Sequence, residues 1–170
     1  LPEYFAEDMI IKAPSKNIMN KLARSVLALY SYDDSPDDLS LENNMRQSIS
    51  LIARMPSIMS YAYQVKRRHF DRESMFFHPY EPDHATAEAI LNALRPDRKF
   101  THQEAKLLDL LMVLHAEHGG GNNSTFTTRV LTSAGTDMYS AIGAAVGSLK
   151  GFKHGGANHQ VRMMMDDLMA

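Results

Sequence analysis

Residues 101–118 read THQEAKLLDLLMVLHAEH, and this stretch decides the fold class. Its leucines recur three and four positions apart, which is the spacing of an α-helix, and Thr101 followed by Glu104 is the capping-box pattern of a helix start. Because a helix that is apolar on all sides is usually buried, we expect this one to be the central, buried element of the fold. Its apolar positions are Leu107, Leu108, Leu110, Leu111, Val113 and Leu114.

On both sides of this helix, apolar residues recur three and four positions apart through most of the chain. No run of alternating apolar and polar residues bounded by turn residues indicates a strand. We therefore predict an all-α fold of about seven helices in one folding unit over residues 1–170. Ser15 is the expected cap of the first helix, and Pro56 should kink the second because proline cannot donate a backbone hydrogen bond. The other helices are predicted over 15–30, 40–69, 83–94, 124–135, 136–151 and from near His154 onward.

Small residues are concentrated in the helix predicted over 136–151. Small side chains allow two backbones to approach closely, so this helix should pack tightly against a neighbour. The positions concerned are Ala141, Ala144, Ala145 and Gly147.

Composition excludes several classes of protein. The 170 residues include no cysteine, which excludes disulfides, thiolate nucleophiles and cysteine-ligated zinc. The 18 basic and 20 acidic residues give a net charge of −2, so the clustered positive charge that non-specific nucleic-acid binding requires is missing. No segment has the apolar length of a membrane span, and the first residues lack a signal-peptide pattern. We expect an intracellular protein that binds neither nucleic acid nor membrane.

Two histidine and glycine motifs carry the chemistry. Residues 115–129 read HAEHGGGNNSTFTTR, and residues 151–160 read GFKHGGANHQ. A histidine next to glycines places an imidazole beside backbone that a small anion can approach closely. His154 precedes the last predicted helix, whose first amides, including those of Gly155 and Gly156, should favour an anion or enolate. A neutral His154 that donates an N–H to a developing oxyanion is the role this position favours.

Other interpretations of the two motifs remain open at this point. His115 and His118 lie three positions apart and would suit a metal, although no third ligand is identifiable. The segment GGGNNST resembles a phosphate loop but lacks the lysine that should follow its last glycine. Each histidine would also be explained as a satisfied core residue, with the glycines ending helices.

The two motifs together resemble the citrate synthase family. The resemblance runs from HAEHGGGNNSTFTTR through LTSAGTDMYSAIGAAVGSLKG to KHGGAN, and the preceding helices fit the large domain of that family in their order and character. It implies an acyltransferase of the tricarboxylic acid cycle that condenses acetyl-CoA with oxaloacetate and water to give citrate and CoA. Acetyl-CoA is then a co-substrate, and neither a metal nor a bound cofactor is expected.

The resemblance also implies roles for individual residues. His154 matches the catalytic histidine that stabilises the enol or enolate of acetyl-CoA, and His118 matches a histidine that helps bind oxaloacetate. Asn122 and Ser124 fall in the substrate-binding loop that follows His118. Gly155, Gly156 and Asn158 belong to the HGGAN motif and are expected to support its geometry.

The sequence departs from the family in two respects. Phe152 stands where the family usually has proline. Members of the family are also much longer, and the residues expected elsewhere are a further catalytic histidine, the aspartate that removes the methyl proton and the arginines that hold the carboxylates. We therefore expect 1–170 to be part of the large domain, without the small domain, and inactive alone.

Two alternative functions follow from the same resemblance. A 2-methylcitrate synthase shares these motifs and uses propionyl-CoA. A non-catalytic helical module would instead serve subunit association, because the family forms homodimers through helices that resemble those near 16–30, 40–69 and 154–168. The expected location is the cytoplasm of a bacterium, with the mitochondrial matrix as the alternative.

Overall fold

The computed structural model describes residues 1–79, 81–117 and 119–169, with the side chains of all of these except 157–159. Within these ranges every regular element is helical, and no strand occurs, which confirms the all-α prediction. A π-helical segment over Ala6–Ile11 precedes the first α-helix and was not predicted. The seven α-helices are α1 (Ile18–Ala28), α2 (Leu41–Lys66), α3 (Thr86–Leu94), α4 (His102–Ala116), α5 (Asn123–Ser133), α6 (Met138–Lys150) and α7 (Ala157–Met169).

The cap of the first helix lies two residues later than expected. Asn17, not Ser15, caps α1, because the Asn17 side chain accepts a hydrogen bond from the Asn20 N–H at 2.8 Å. The Ser15 hydroxyl instead accepts from the Asn17 N–H in a local turn before the helix. The helix also ends earlier than predicted, and a 3₁₀ turn over Leu29–Tyr32 replaces its last residues.

The long second helix is confirmed in extent, with an altered end. Ser40 caps its start by accepting from the Asn43 N–H, and the helix continues through Pro56 without ending there. Beyond Lys66 the chain forms a π-helical turn over Arg67–Asp71 rather than a continued α-helix. Arg72 then ends the turn with a left-handed backbone, at a φ of 59°.

The core lies where α1, α2 and α6 meet the N-terminal segment. Its buried side chains are Phe5, Ile10, Leu22, Val26, Leu29, Leu51, Ile58, Ala62, Val65, Tyr139 and Val146. Close approach of α6 to α1 occurs at Gly143, where an added Cβ would lie 3.5 Å from the carbonyl oxygen of Ala23. Ala141 and Ala145 are buried as expected, whereas Gly147 has open space beside it. The predicted tight contact therefore exists, but Gly147 does not make it.

The prediction that α4 is central and buried is wrong. Its capping box is present, since Thr101 and Glu104 bond each other's backbone N–H. Among the described residues of α4, however, only Ala105 is buried. Leu107, Leu110 and Leu114 are 60%, 54% and 67% exposed. Apolar residues on every side of a helix favour its burial. The pattern does not tell which part of a protein covers the helix.

A buried carboxylate ties three parts of the fold together. The Asp33 side chain accepts hydrogen bonds from the Tyr139 hydroxyl at 2.6 Å, from Arg46 of α2 at 2.6 Å and from Gln47 at 3.1 Å. Burial by itself raises the pKa of Asp33, but these bonds, with one from the Ser35 N–H, outweigh it and hold the pKa well below its usual range. Asp33 thereby joins α2 to the start of α6.

No helix in the described part of the chain combines the length and the apolar character needed to cross a membrane.

Candidate active site

The glycine loop after α4 leads directly into α5. Gly119 has a φ of 61°, a left-handed conformation that favours glycine, and its N–H donates to the Glu117 carboxylate at 2.6 Å. The Asn122 side-chain oxygen then caps α5 by accepting from the Ser124 N–H at 3.0 Å. The loop therefore sets the start of α5 and, with it, the position of Ser124.

Ser124 is the second residue of α5 and is buried, with 8% of its surface exposed. The backbone carbonyl of Ser124 accepts from the Thr128 hydroxyl at 2.9 Å, within the same helix. Its own hydroxyl is aimed away from that helix and toward the turn that carries His154. A buried hydroxyl needs a hydrogen-bond partner, and His154 supplies it.

His154 lies in the tight turn that connects α6 to α7. The N–H groups of His154 and of Gly155 both donate to the carbonyl oxygen of Gly151, at 2.9 and 3.0 Å. The last helix begins at Ala157, three residues later than predicted. The expectation that the Gly155 amide faces a bound anion is therefore wrong, because this amide is already bonded within the turn.

Two glycines of the turn have no room for a side chain. A Cβ on Gly155 would overlap the carbonyl oxygen of Leu149, and a Cβ on Gly156 would overlap that of Phe152. These obstacles are backbone atoms, which cannot rotate away as a flexible side chain would. The two glycines thus allow the chain to fold back on itself and hold the His154 imidazole at a defined place.

The structure brings Ser124 and His154 together. The Ser124 hydroxyl lies 2.9 Å from Nε2 of His154, across 30 positions of sequence. If the hydroxyl donates to Nε2, the neutral imidazole carries its proton on Nδ1. The pair then presents an oriented N–H donor, the group that a developing oxyanion requires.

The remaining predicted site residues fall into two groups. His118 lies outside the described residues, and so does the side chain of Asn158, although its backbone belongs to the first turn of α7. His115 is described, and its Nδ1 lies 2.7 Å from the carbonyl oxygen of Leu111 in the preceding turn of α4. A carbonyl only accepts, so this nitrogen is the donor and is not free to ligate a metal.

Metal ligands do not converge in the described parts of the chain, where no group of three histidine, aspartate or glutamate side chains is placed to hold an ion. The pairing of Ser124 with His154 was not predicted, since Ser124 was expected to contact substrate. No sequence signal indicated this contact, because the local spacing of residues carries no information across 30 positions.

The whole chain, residues 1–170, matches the family model described as "Citrate synthase, C-terminal domain". The chain belongs to the citrate synthase family. A citrate synthase of Heyndrickxia coagulans is 32% identical over 97% of this chain and 43% of its own length. One from Haloferax volcanii is 35% identical over 88% of this chain and 38% of its own length.

The family relatives also include a 2-methylcitrate synthase of Shewanella oneidensis, which is 33% identical over 69% of this chain and 30% of its own length. The chain thus spans less than half the length of each of these three relatives. Of the residues predicted for the site, Ser124 and His154 are the two whose side chains the structure brings into contact.

Proposed function

We propose that the natural polypeptide carrying this chain condenses acetyl-CoA with oxaloacetate and water to give citrate and CoA. The observation that carries the proposal is the bond between the Ser124 hydroxyl and Nε2 of His154, in a chain of the citrate synthase family. Two relatives named citrate synthases support this reaction. In the proposed reaction acetyl-CoA is a co-substrate, and neither a metal nor a bound cofactor takes part.

His154 acts on the oxygen of the thioester. When a base removes a proton from the methyl group of acetyl-CoA, negative charge develops on that oxygen. A neutral His154 with its proton on Nδ1 donates a hydrogen bond to it, and Ser124 keeps the imidazole in this tautomer. The enolate carbon then forms a bond to the ketone carbon of oxaloacetate, whose oxygen takes up a proton. Water finally cleaves the thioester and releases the CoA thiol.

The oxaloacetate site draws on the loop between α4 and α5. We assign His118 and Asn122 to binding of the ketoacid, with the Asn122 amide nitrogen as the donor, since its oxygen caps α5. Gly155 and Gly156 support the site by allowing the turn at His154, and Asn158 is proposed to support the same motif. Ser124 is assigned to the positioning of His154 rather than to substrate.

The proposal assigns residues 1–170 to part of the large domain. The base, a second catalytic histidine and the carboxylate-binding arginines are proposed to come from other residues of the natural polypeptide. We therefore expect the purified 170-residue chain to release no CoA thiol from acetyl-CoA and oxaloacetate. Detectable citrate formation by this chain alone would contradict that assignment.

A central test substitutes the two histidines of the site region in the natural polypeptide. His154→Ala should lower kcat by at least about 100-fold, because it removes the donor to the developing oxyanion. His115→Ala is the matched control, since its ring bonds only a carbonyl of its own helix among the described residues. Undiminished citrate formation by His154→Ala would overturn the role of His154. A natural polypeptide without condensing activity would overturn the proposed function.

The second candidate is 2-methylcitrate synthesis from propionyl-CoA. The observation in its favour is the similarity to the 2-methylcitrate synthase of Shewanella oneidensis. Measuring kcat/KM with acetyl-CoA and with propionyl-CoA, at saturating oxaloacetate, distinguishes the two reactions. A ratio that favours propionyl-CoA would replace the first proposal with the second.

A homodimer is the proposed assembly, through helices near 16–30, 40–69 and 154–168. Exposed apolar side chains on these helices support it: Leu27 is 52% exposed on α1, Leu41 is 80% exposed on α2 and Leu168 is 76% exposed on α7. Sedimentation measurements at several protein concentrations test the proposed homodimer. A species that stays monomeric at high concentration would contradict the proposal. A strictly monomeric species would also contradict the alternative of a non-catalytic helical module that serves subunit association. Cytoplasmic location stays a prediction.

A further inference from the structure

A cavity of about 390 Å³ lies between the middle of α2, one side of α3 and the segment that joins the two helices. Its volume is in the range of small-molecule sites. Among the described residues, none of those assigned above to catalysis or to oxaloacetate binding lines it. The cavity is therefore a separate feature of the fold, and its lining determines what it would accept.

One wall of the cavity is apolar and comes from α2. Ile52 and Pro56 lie one helical turn apart on the same face, and Ile52 is 69% exposed. Ala89 of α3 faces the same space. This wall suits the flat side of an apolar or aromatic group.

Pro56 adds a polar feature to that wall. In an α-helix the N–H of residue 56 would donate to the carbonyl oxygen of residue 52, but proline has no N–H. Pro56 lies inside α2, which continues on both sides of it. The carbonyl oxygen of Ile52 is thus left without its usual helical donor, beside the cavity.

His78 supplies a second acceptor. Its Nε2 lies 2.9 Å from the carbonyl oxygen of Arg95, and a carbonyl only accepts, so the proton is on Nε2. In the neutral ring, Nδ1 then carries a lone pair. Among the described residues no hydrogen bond engages this nitrogen, and His78 lines the cavity.

The cationic and amide donors near the cavity are already used. Arg98 pairs with Glu81 and donates to the Asn92 side-chain oxygen at 3.1 Å. The Asn92 amide donates in turn to the carbonyl oxygen of Pro79 at 3.4 Å. No lysine or arginine is among the described lining residues, whereas the Glu81 carboxylate is. Arg98 contacts only Oε1 of Glu81, so Oε2 stays an acceptor, and Nδ1 of the lining residue His84 is buried without a hydrogen-bond partner among the described residues. The lining therefore offers mainly hydrogen-bond acceptors, and its one nearby arginine is already paired.

We propose that this cavity binds a small, planar molecule that is cationic or neutral and carries N–H donors. Its flat face packs on Ile52, Pro56 and Ala89, and its donors reach the Ile52 carbonyl, His78 Nδ1 and the Glu81 carboxylate. Carboxylates and phosphates are disfavoured, because the described lining contains no lysine or arginine and the nearby Arg98 is already paired with Glu81. The site thus differs from the one proposed at His154, where an N–H donates to a developing oxyanion, and it does not depend on the proposed reaction.

Three probes of one shape test the charge preference. Benzamidine is a planar cation with N–H donors, benzamide is its neutral counterpart, and benzoate is an anion without donors at neutral pH. Calorimetric titration of the 170-residue chain should give a measurable Kd for benzamidine, weaker binding of benzamide and none of benzoate. Equal binding of benzamidine and benzoate, or no binding of benzamidine at millimolar concentration, would overturn the proposal.

Two substitutions locate the bound probe. Ala89→Leu fills the cavity and should weaken benzamidine binding at least about tenfold, whereas Ala144→Leu, at a half-buried alanine of α6 outside the cavity, should not. Pro56→Ala restores an N–H for the Ile52 carbonyl and should weaken binding about two- to tenfold while leaving the chain folded. Circular dichroism confirms folding of each variant. Unchanged affinity in both Ala89→Leu and Pro56→Ala would place the probe elsewhere and refute the assignment.

Discussion

The Ser124 hydroxyl bonds Nε2 of His154 at 2.9 Å, and so links the second residue of α5 to the turn between α6 and α7. This contact decides which ring nitrogen of His154 is available to a ligand. It supports the proposed assignment of Ser124 to the positioning of His154 rather than to substrate binding.

Ser124→Ala in the natural polypeptide should lower kcat about tenfold with little change in KM for oxaloacetate, because one neutral hydrogen bond that orients the imidazole is lost. Ser124→Thr keeps the hydroxyl and should restore most of the activity. Steady-state kinetics across pH provide the measurement. A large rise in KM for oxaloacetate with unchanged kcat would instead assign Ser124 to substrate binding.

Gly156→Ala should destabilise the chain by about 2 kcal/mol or more, because the added Cβ overlaps the backbone of Phe152. Gly121→Ala is the matched control, since an added Cβ there meets nothing within 4 Å. Urea unfolding of both variants measures the difference. Equal stabilities would show that the turn at His154 relaxes without cost.

Tyr139→Phe should cost about 1.5–3 kcal/mol at pH 7, because it removes a hydrogen bond to the buried Asp33 carboxylate. The pKa of Asp33 is depressed in the folded state, so its contribution is complete above the unfolded value of about 3.9 and is lost as pH falls below it. The deficit of the variant should therefore shrink from pH 7 to pH 3. Tyr63→Phe, at a 40% exposed tyrosine, is the control and should change stability little at either pH.

Lys21 gives a pH dependence of the same sign in the alkaline range. Its ammonium donates to the carbonyl oxygens of Met9 and Ala13, and burial, with the nearby charge of Arg24, lowers its pKa to about 8. The folded chain then releases this proton near pH 8, whereas the unfolded chain keeps it to about 10.4. The free energy of unfolding of the wild type should therefore rise relative to Lys21→Met between pH 8 and pH 10, by no more than about 3 kcal/mol.

Urea titrations at pH 7, 8, 9 and 10 follow this difference. Lys99→Met, at an exposed lysine, is the control that should run parallel to the wild type. If the wild type and Lys21→Met also run parallel, Lys21 does not titrate in this range.

The exposed face of α4 predicts a contrast between two leucines. Leu114→Gln should change the free energy of unfolding by no more than about 0.5 kcal/mol, because Leu114 is 67% exposed. Leu51→Ala should cost about 2–5 kcal/mol, because Leu51 is 4% exposed in the core. Chemical denaturation tests both. A cost for Leu114→Gln as large as that for Leu51→Ala would mean that α4 is buried after all.

Local order was predictable from the amino-acid sequence alone. The helical class, the capping of α4 by Thr101 and Glu104, and the continuation of α2 through Pro56 were all predicted. Each of these depends on the spacing of apolar residues or on side chains within four positions of a helix end. The errors at Ser15 and at the end of α2 also concern residues close to a helix end. At such positions neighbouring polar residues compete to end the helix, so its exact boundary is hard to predict.

Only the tertiary structure decided which helix faces are covered and which distant polar groups meet. Leu107 and Leu51 have the same side chain, yet one is 60% and the other 4% exposed, because exposure depends on what packs against the helix. Asp33 and Tyr139 are 106 positions apart, and Ser124 and His154 are 30 apart. Helical periodicity extends over a few turns and carries no information at such separations. The sequence alone therefore determined the helices and the two histidine motifs, and packing of α5 against α6 determined that Ser124 contacts His154.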